Sequence, residues 1–223
     1  MGDDAAARLQ MVRRLKQTGV VVDPAVEQAM LEVPRHRFVP HIDDRAAYRD
    51  EAVMVKHARN GVPISSLSQP TIVATMLERL QVSAGHRVLE VGTGTGYNAA
   101  LLSVLVGEVG YVASIELEPD LAEQAARTLT GAGYDRVEVL VGDGRVGYPG
   151  RAPYDRVIVT TGARSVAEAW IGQLADAGRL VVPLVDHRGV GLIVVLEEVG
   201  GELVHSTGAP CGFIPLRHAP SRR

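Results

Sequence analysis

The chain has one cysteine, Cys211, so it cannot form an internal disulfide, and a disulfide-stapled secreted scaffold is excluded. A buried structural thiol is the expected role for that residue. Aromatic residues make up only 4%, which leaves little material for base-stacking surfaces. Basic runs are missing and the net charge is −3, so nothing points to nucleic acid. No apolar stretch approaches the ~20 residues of a membrane span, and no membrane association is expected. The opening "MGDDAAARLQ" has acids where a signal peptide would be basic, and Ala6 breaks the myristoylation pattern. A cytoplasmic protein is therefore expected. The seven histidines, at 36, 41, 57, 86, 187, 205 and 218, show no metal-ligand spacing, so no metal is expected.

What is present is a regular alternation. Residues 5–19 and 24–32 have helical patterning, the second with Asp23 as N-cap and Pro24 at its first turn. The two prolines of "VPRHRFVP" (33–40) predict a turn or extended segment, and 41–69 reads as irregular. From Thr71 a helix is predicted, with Ile72, Val73, Met76, Leu77 and Leu80 on one face. "RVLEV" (87–91), "YVASIE" (111–116), "VEVLV" (137–141), "RVIVT" (156–160) and "RLVVPL" (179–184) read as strands. Their near-continuous apolar character suits strands covered on both faces. A helix at 118–133 lies between the second and third strands, and one at 165–174 opens with the capping-box spacing of Ser165 and Glu168. Strands alternating with helices imply an α/β fold with a doubly wound, mostly parallel sheet. Two strand-like pieces around Gly200-Gly201 predict an antiparallel hairpin at its C-terminal edge.

The strongest local signal is "RVLEVGTGTGYNAALL" (87–102), a buried strand running into Gly92, Gly94 and Gly96 and then a helix. Glycines permit a tight turn and close approach of a ligand, and the helix start favours negative charge. Position 97 is Tyr, so the dinucleotide spacing G-x-G-x-x-G fails. The spacing G-x-G-x-G preceded by Glu90 fits S-adenosylmethionine (SAM) better than NAD. Glu116 ends the second strand, where an acid can accept both ribose hydroxyls, and Asp143 in "VGDGR" follows the third, where a carboxylate could face adenine. The expected cofactor contacts are Glu90, Gly92, Thr93, Gly94, Gly96, Tyr97, Glu116, Leu117, Asp143 and Gly144. A different puzzle is "SSLSQPTIVATMLERL" (65–80), whose helix entry carries three serines where one cap suffices. Ser65, Ser66, Ser68 and Gln69 are therefore candidates for contact with a substrate.

The chain resembles the protein-L-isoaspartate O-methyltransferase family. The resemblance is carried by "DPAVEQAMLEVPRHRFVP" (23–40), "AYRDEA" (47–52), "LSQPTIVATMLERL" (67–80), "VLEVGTGTGYNAALL" (88–102), "GDG" (142–144), "PYDRVIVTTGA" (153–163) and "LADAGRLVVPL" (174–184). It implies a Rossmann-like methyltransferase with SAM as cofactor, S-adenosylhomocysteine as product, and a protein or peptide substrate bearing an Asp-derived carboxylate. Methyl ester formation on an isoaspartyl or aspartyl side chain, leading to a succinimide, is the implied reaction. The family's active-site serine falls on Ser68, with Ser68 also capping the following helix and a substrate carboxylate resting at that helix start. Residues 1–70 are expected to form an N-terminal helical segment and substrate-side loop, and 71–223 the SAM-binding core, in one compact domain and as a monomer. "AVMVKHARNGVPISSLSQP" (52–70) is longer than the family's usual stretch and lacks its Gly-Gln-Thr. With "CGFIPLR" (211–217) it is similar to a branch that methylates a normal aspartate in ribosomally made peptides, so repair and peptide tailoring both remain open. A small-molecule methyltransferase and a non-enzymatic SAM sensor are the alternatives. "TTGA" after the fourth strand, in place of an Asn/Asp-Pro-Pro-aromatic box, argues against a base-amino methyltransferase.

Overall fold

A computed structural model describes residues 3–200 and 202–218. Helices α1 (Asp3–Gln17) and α2 (Pro24–Glu32) come first, and Asp23 caps α2 by accepting from Ala25 N at 2.8 Å. "RHRF" (Arg35–Phe38), expected as turn or extended, is a 3₁₀ turn. The segment read as irregular instead holds an antiparallel pair, β1 (Val53–His57) and β2 (Pro63–Leu67), joined through a turn at Asn60-Gly61. That Asn-Gly pair was the available hairpin signal. Its strands escape detection because they alternate poorly: register shifts at Met54–His57 interrupt the pairing.

Helix α3 (Pro70–Leu80) follows, then the main sheet: β3 (Arg87–Val91), α4 (Tyr97–Val106), β4 (Tyr111–Glu116), α5 (Pro119–Gly131), β5 (Val137–Val141), β6 (Tyr154–Val159), α6 (Glu168–Gly172), β7 (Leu174–Val185), β8 (Val190–Val199) and β9 (Glu202–Gly212). Strand order is β5-β4-β3-β6-β7-β8-β9. The first five are mutually parallel, and β8 and β9 add antiparallel. The doubly wound sheet and its antiparallel end are thus as expected. In the hairpin, Gly200 has φ +63°, and Gly201 lies outside the described residues. The capping box at Ser165 and Glu168 does not form: α6 is only five residues long, its N-cap is Ala167, and no side chain caps it.

Alternation along the strands explains their apolar runs. Val88, Val112, Ile158 and Val181 enter one core with α1 to α4, while Leu89, Ala113, Val157 and Leu180 enter a second with Trp170 of α6. Both faces are covered, so no position in these strands calls for a polar side chain. The exceptions, buried Glu90 and Ser114, therefore require partners. The chain order reverses between β3 and β6, and the carboxyl ends of these neighbours form the crevice where such sheets bind ligands. Among the described residues no helix is long and apolar enough to cross a membrane, and no cluster of three or more His, Cys, Asp or Glu could hold a metal.

Candidate active site

The turn after β3 is built by backbone constraint. Gly92 N donates to Ile115 O at 2.8 Å, and Thr160 N, after β6, donates to Val91 O at 2.9 Å. Gly92 has φ +104°, and a Cβ there would stand 2.7 Å from Thr160 Oγ1 and 2.8 Å from Thr161 Cγ2. Only glycine fits. Gly94, at φ +53°, faces Ser65 Oγ and the Ser66 carbonyl at 3.7 and 3.9 Å from where its Cβ would lie. The hairpin strand β2 therefore lies directly across the glycine turn. Gly94 N donates to Glu116 Oε2 at 2.9 Å and Glu118 N to Glu116 Oε1 at 3.1 Å. These bonds anchor the Glu116 carboxylate from behind and leave lone pairs on both oxygens.

One cavity of about 910 Å³ unites the two halves. Gly92, Thr93, Gly94, Tyr97, Glu116, Leu117 and Gly144 line one side, and Ser65, Ser66, Ser68 and Gln69 the other. Ile72, Val73, Met76 and Cys211 contribute apolar wall. Arg217 also lines the cavity, and it shares Glu118 with Lys56, at 2.7 and 3.2 Å. The segment carrying Arg217 is itself held by Gly162, which donates to Ile214 O at 2.8 Å and accepts from Leu216 N at 2.7 Å. None of the hydroxyls of Ser65, Ser66 and Ser68 forms a hydrogen bond within the described residues, which is the arrangement of groups left available to a ligand. Cys211 lines the wall, and burial pushes its thiol up to about 11, so it stays protonated.

Three of the residues expected to contact the cofactor, Glu90, Gly96 and Asp143, are not among those that line the cavity. Glu90 is fully buried beneath the turn, accepting from Asn98 Nδ2 at 2.8 Å and Ser114 Oγ at 2.5 Å, and Ser114 in turn meets Thr93 Oγ1 at 2.6 Å. Burial pushes its pKa up to about 7. It braces the loop rather than lining the cavity. Gly96 starts α4 at φ +90° and packs on Leu129, outside the cavity lining. Asp143 also stays out of the lining. Its carboxylate caps a 3₁₀ turn through Arg145 N at 3.0 Å and binds the Arg145 guanidinium at 2.7 Å.

The helix start behind Ser68 also differs from expectation. The N-cap of α3 is Gln69, and neither it nor Ser68 caps with a side chain. Asp50 does so from 21 residues upstream: Oδ1 accepts from Thr71 N at 2.9 Å, while Oδ2 accepts from Thr71 Oγ1 at 2.7 Å and Gln69 Nε2 at 3.2 Å. Pro70 has no N–H, and Ile72 N and Val73 N both reach Gln69 O at 3.0 Å. A substrate carboxylate cannot rest on this helix end, because Asp50 already occupies it. Sequence reading also passed over Arg35, fully buried, whose Nε and Nη2 donate to Ala47 O at 2.6 Å and Ser68 O at 2.8 Å.

This architecture is that of the Rossmann-like methyltransferases. A solved protein-L-isoaspartate O-methyltransferase superposes with TM-score 0.84 at 33% identity, over 93% of this chain and 65% of that longer one. A beta-aspartate methyltransferase from Plasmodium falciparum, in complex with S-adenosyl-L-homocysteine, shares the fold with TM-score 0.82 at 20% identity, over 94% and 98% of the two chains. The model of the family Protein-L-isoaspartate(D-aspartate) O-methyltransferase matches residues 6–220, and the chain belongs to that family of SAM-dependent enzymes. The Methanopyrus kandleri protein-L-isoaspartate O-methyltransferase is 42% identical over 94% of this chain and 91% of its own. That of Gloeobacter violaceus is 40% identical over 91% and 94%.

Proposed function

We propose that the protein methylates the carboxylate of an isoaspartyl residue, or of a related aspartyl residue, in a protein or peptide. The observation that carries this reading is the single cavity in which the glycine turn of Gly92 and Gly94 faces Ser65, Ser66 and Ser68. The cradle fits the cofactor: it is closed to any Cβ at Gly92 and has an acid with available lone pairs at Glu116. SAM supplies an electrophilic methyl on a sulfonium and leaves as S-adenosylhomocysteine. Glu116 would take the ribose hydroxyls, with Gly92, Thr93, Gly94, Leu117 and Gly144 lining the donor side of the cavity. Ser68 donates a hydrogen bond to the acceptor carboxylate, assisted by Ser65 and Ser66, and fixes it in line with the methyl. No general base is needed, since a carboxylate of pKa about 4 is already an anion at neutral pH. Orientation and exclusion of water are what the residues contribute.

The methyl ester formed is a better leaving group than the carboxylate, so a neighbouring backbone nitrogen closes a succinimide and expels methanol. In repair that ring reopens partly to normal aspartate. In tailoring the ring is kept. The longer hairpin β1–β2, which forms the roof over Gly94, is the feature favouring a specialised peptide. The protein would act in the cytoplasm as a monomer, with 1–70 serving the acceptor side and 71–223 forming the core.

The test offers SAM with isoaspartyl, aspartyl and ring-constrained aspartyl peptides to the wild type and to Ser68→Ala and Glu116→Ala. Methylation of the first peptide means repair, and of the third alone, tailoring. Ser68→Ala should keep SAM affinity and lose about tenfold or more in rate. Glu116→Ala should weaken SAM binding directly. No turnover on any of the three peptides overturns the assignment.

A further inference from the structure

Ser68 sits at the junction of β2 and α3, two elements that share no hydrogen-bond ladder, so something else must set where its hydroxyl points. Two charged side chains converge on this junction. Arg35 is 0% exposed, and its guanidinium spans carbonyls of two separate segments, Ala47 O and Ser68 O. It also lies over the Tyr97 ring, 5.1 Å from the centroid, and that ring is held on another side by Phe38 at 5.6 Å. Tyr97 opens α4 directly after Gly96. One buried cation thus spans from the donor side of the cavity to the backbone of Ser68. Asp50 grips the following residues, taking the Gln69 amide and both donors of Thr71. The backbone is therefore fixed at residue 68 through its carbonyl and at residue 71 through its N–H, and the carboxylate that holds Thr71 also holds the Gln69 side chain.

We infer that Arg35 and Asp50 are positioning residues for methyl transfer, holding Ser68 at a set distance and orientation relative to the glycine turn. This rests on the acceptor role given to Ser68 above. Neither residue lines the cavity, so neither touches substrate or cofactor, and their effect passes through Ser68. A buried guanidinium bonded to two carbonyls is rigid, and lysine cannot span both. A carboxylate accepting three hydrogen bonds is equally confined, while asparagine keeps one acceptor oxygen for Thr71 N and loses the charge.

A double-mutant cycle tests this, with kcat and KM measured on the isoaspartyl peptide and SAM affinity read from the fluorescence of the single tryptophan. Trp170 Nε1 donates to Gly144 O at 2.8 Å, at the cavity wall, and so reports cofactor binding. Asp50→Ala is expected to lower kcat about tenfold with SAM affinity unchanged, and Asp50→Asn to recover most of that loss. Arg35→Lys should resemble Asp50→Ala. If it fails to fold, the Asp50 variants decide alone. In a Ser68→Ala background, Asp50→Ala should cost nothing further, because the group it orients is gone. Additive losses, or SAM affinity falling in step with kcat, would overturn the positioning role and leave Ser68 in place. A Ser68→Ala enzyme at the wild-type rate would instead remove both readings.

Discussion

Replacing Glu90 by glutamine isolates the one carboxyl buried beneath the glycine turn. Its pKa is raised from 4.5 to about 7, chiefly by desolvation, with Glu116 adding repulsion and the Ser114 and Asn98 hydrogen bonds opposing it. The folded protein therefore keeps a proton on Glu90 between pH 4.5 and about 7, where the unfolded chain has released it. Binding more protons folded than unfolded means that stability falls as pH rises through this window and levels off above it. At about 1.36 kcal/mol per unit, the loss amounts to about 3 kcal/mol. Glu90→Gln retains a carbonyl for Asn98 and an amide for Ser114 but cannot ionise. Its stability should lack this slope, so relative to wild type it gains up to about 3 kcal/mol on going from about pH 5 to about pH 8. Urea unfolding followed by Trp170 fluorescence across that range measures the difference. Parallel stability curves for the two proteins would refute the buried-acid argument, and would mean that water or a cation reaches Glu90.

Gly92→Ala should abolish detectable SAM binding while leaving the fold intact by circular dichroism, since the methyl would meet Thr160 Oγ1 at 2.7 Å in a left-handed backbone. Normal titration of that variant would contradict the cradle geometry. Asp50 has the opposite pH sign to Glu90. Burial alone would raise its pKa, but the hydrogen bonds from Thr71 and Gln69 outweigh this and hold it below 3.8. Its contribution is fully present above the unfolded value and is lost as pH falls through the folded one. Asp50→Asn should therefore flatten the acid limb of the unfolding curve, and an unchanged limb would rule out that linkage.

The strands β3, β4 and β5 could be read to the residue because their apolar runs are near-continuous, interrupted only by Glu90, Ser114 and Glu138. The glycine turn was equally legible, since positive φ within a few consecutive residues leaves little choice but glycine. Their order along the chain implied the doubly wound sheet and placed Glu116 at a strand end beside the turn. What local pattern could not supply was pairing across distance. Asp50 reaches Thr71 over 21 residues and Arg35 reaches Ser68 over 33, and no periodicity records such contacts. Packing turned Glu90 into the core, a burial that its spacing did not announce, whereas Asp143 holds Arg145 only two residues on. Sequence alone determined which backbone could form the turn and which serines were in surplus. Only tertiary structure decided which side chains face the cavity, because a side chain's direction depends on partners that chain folding brings from elsewhere.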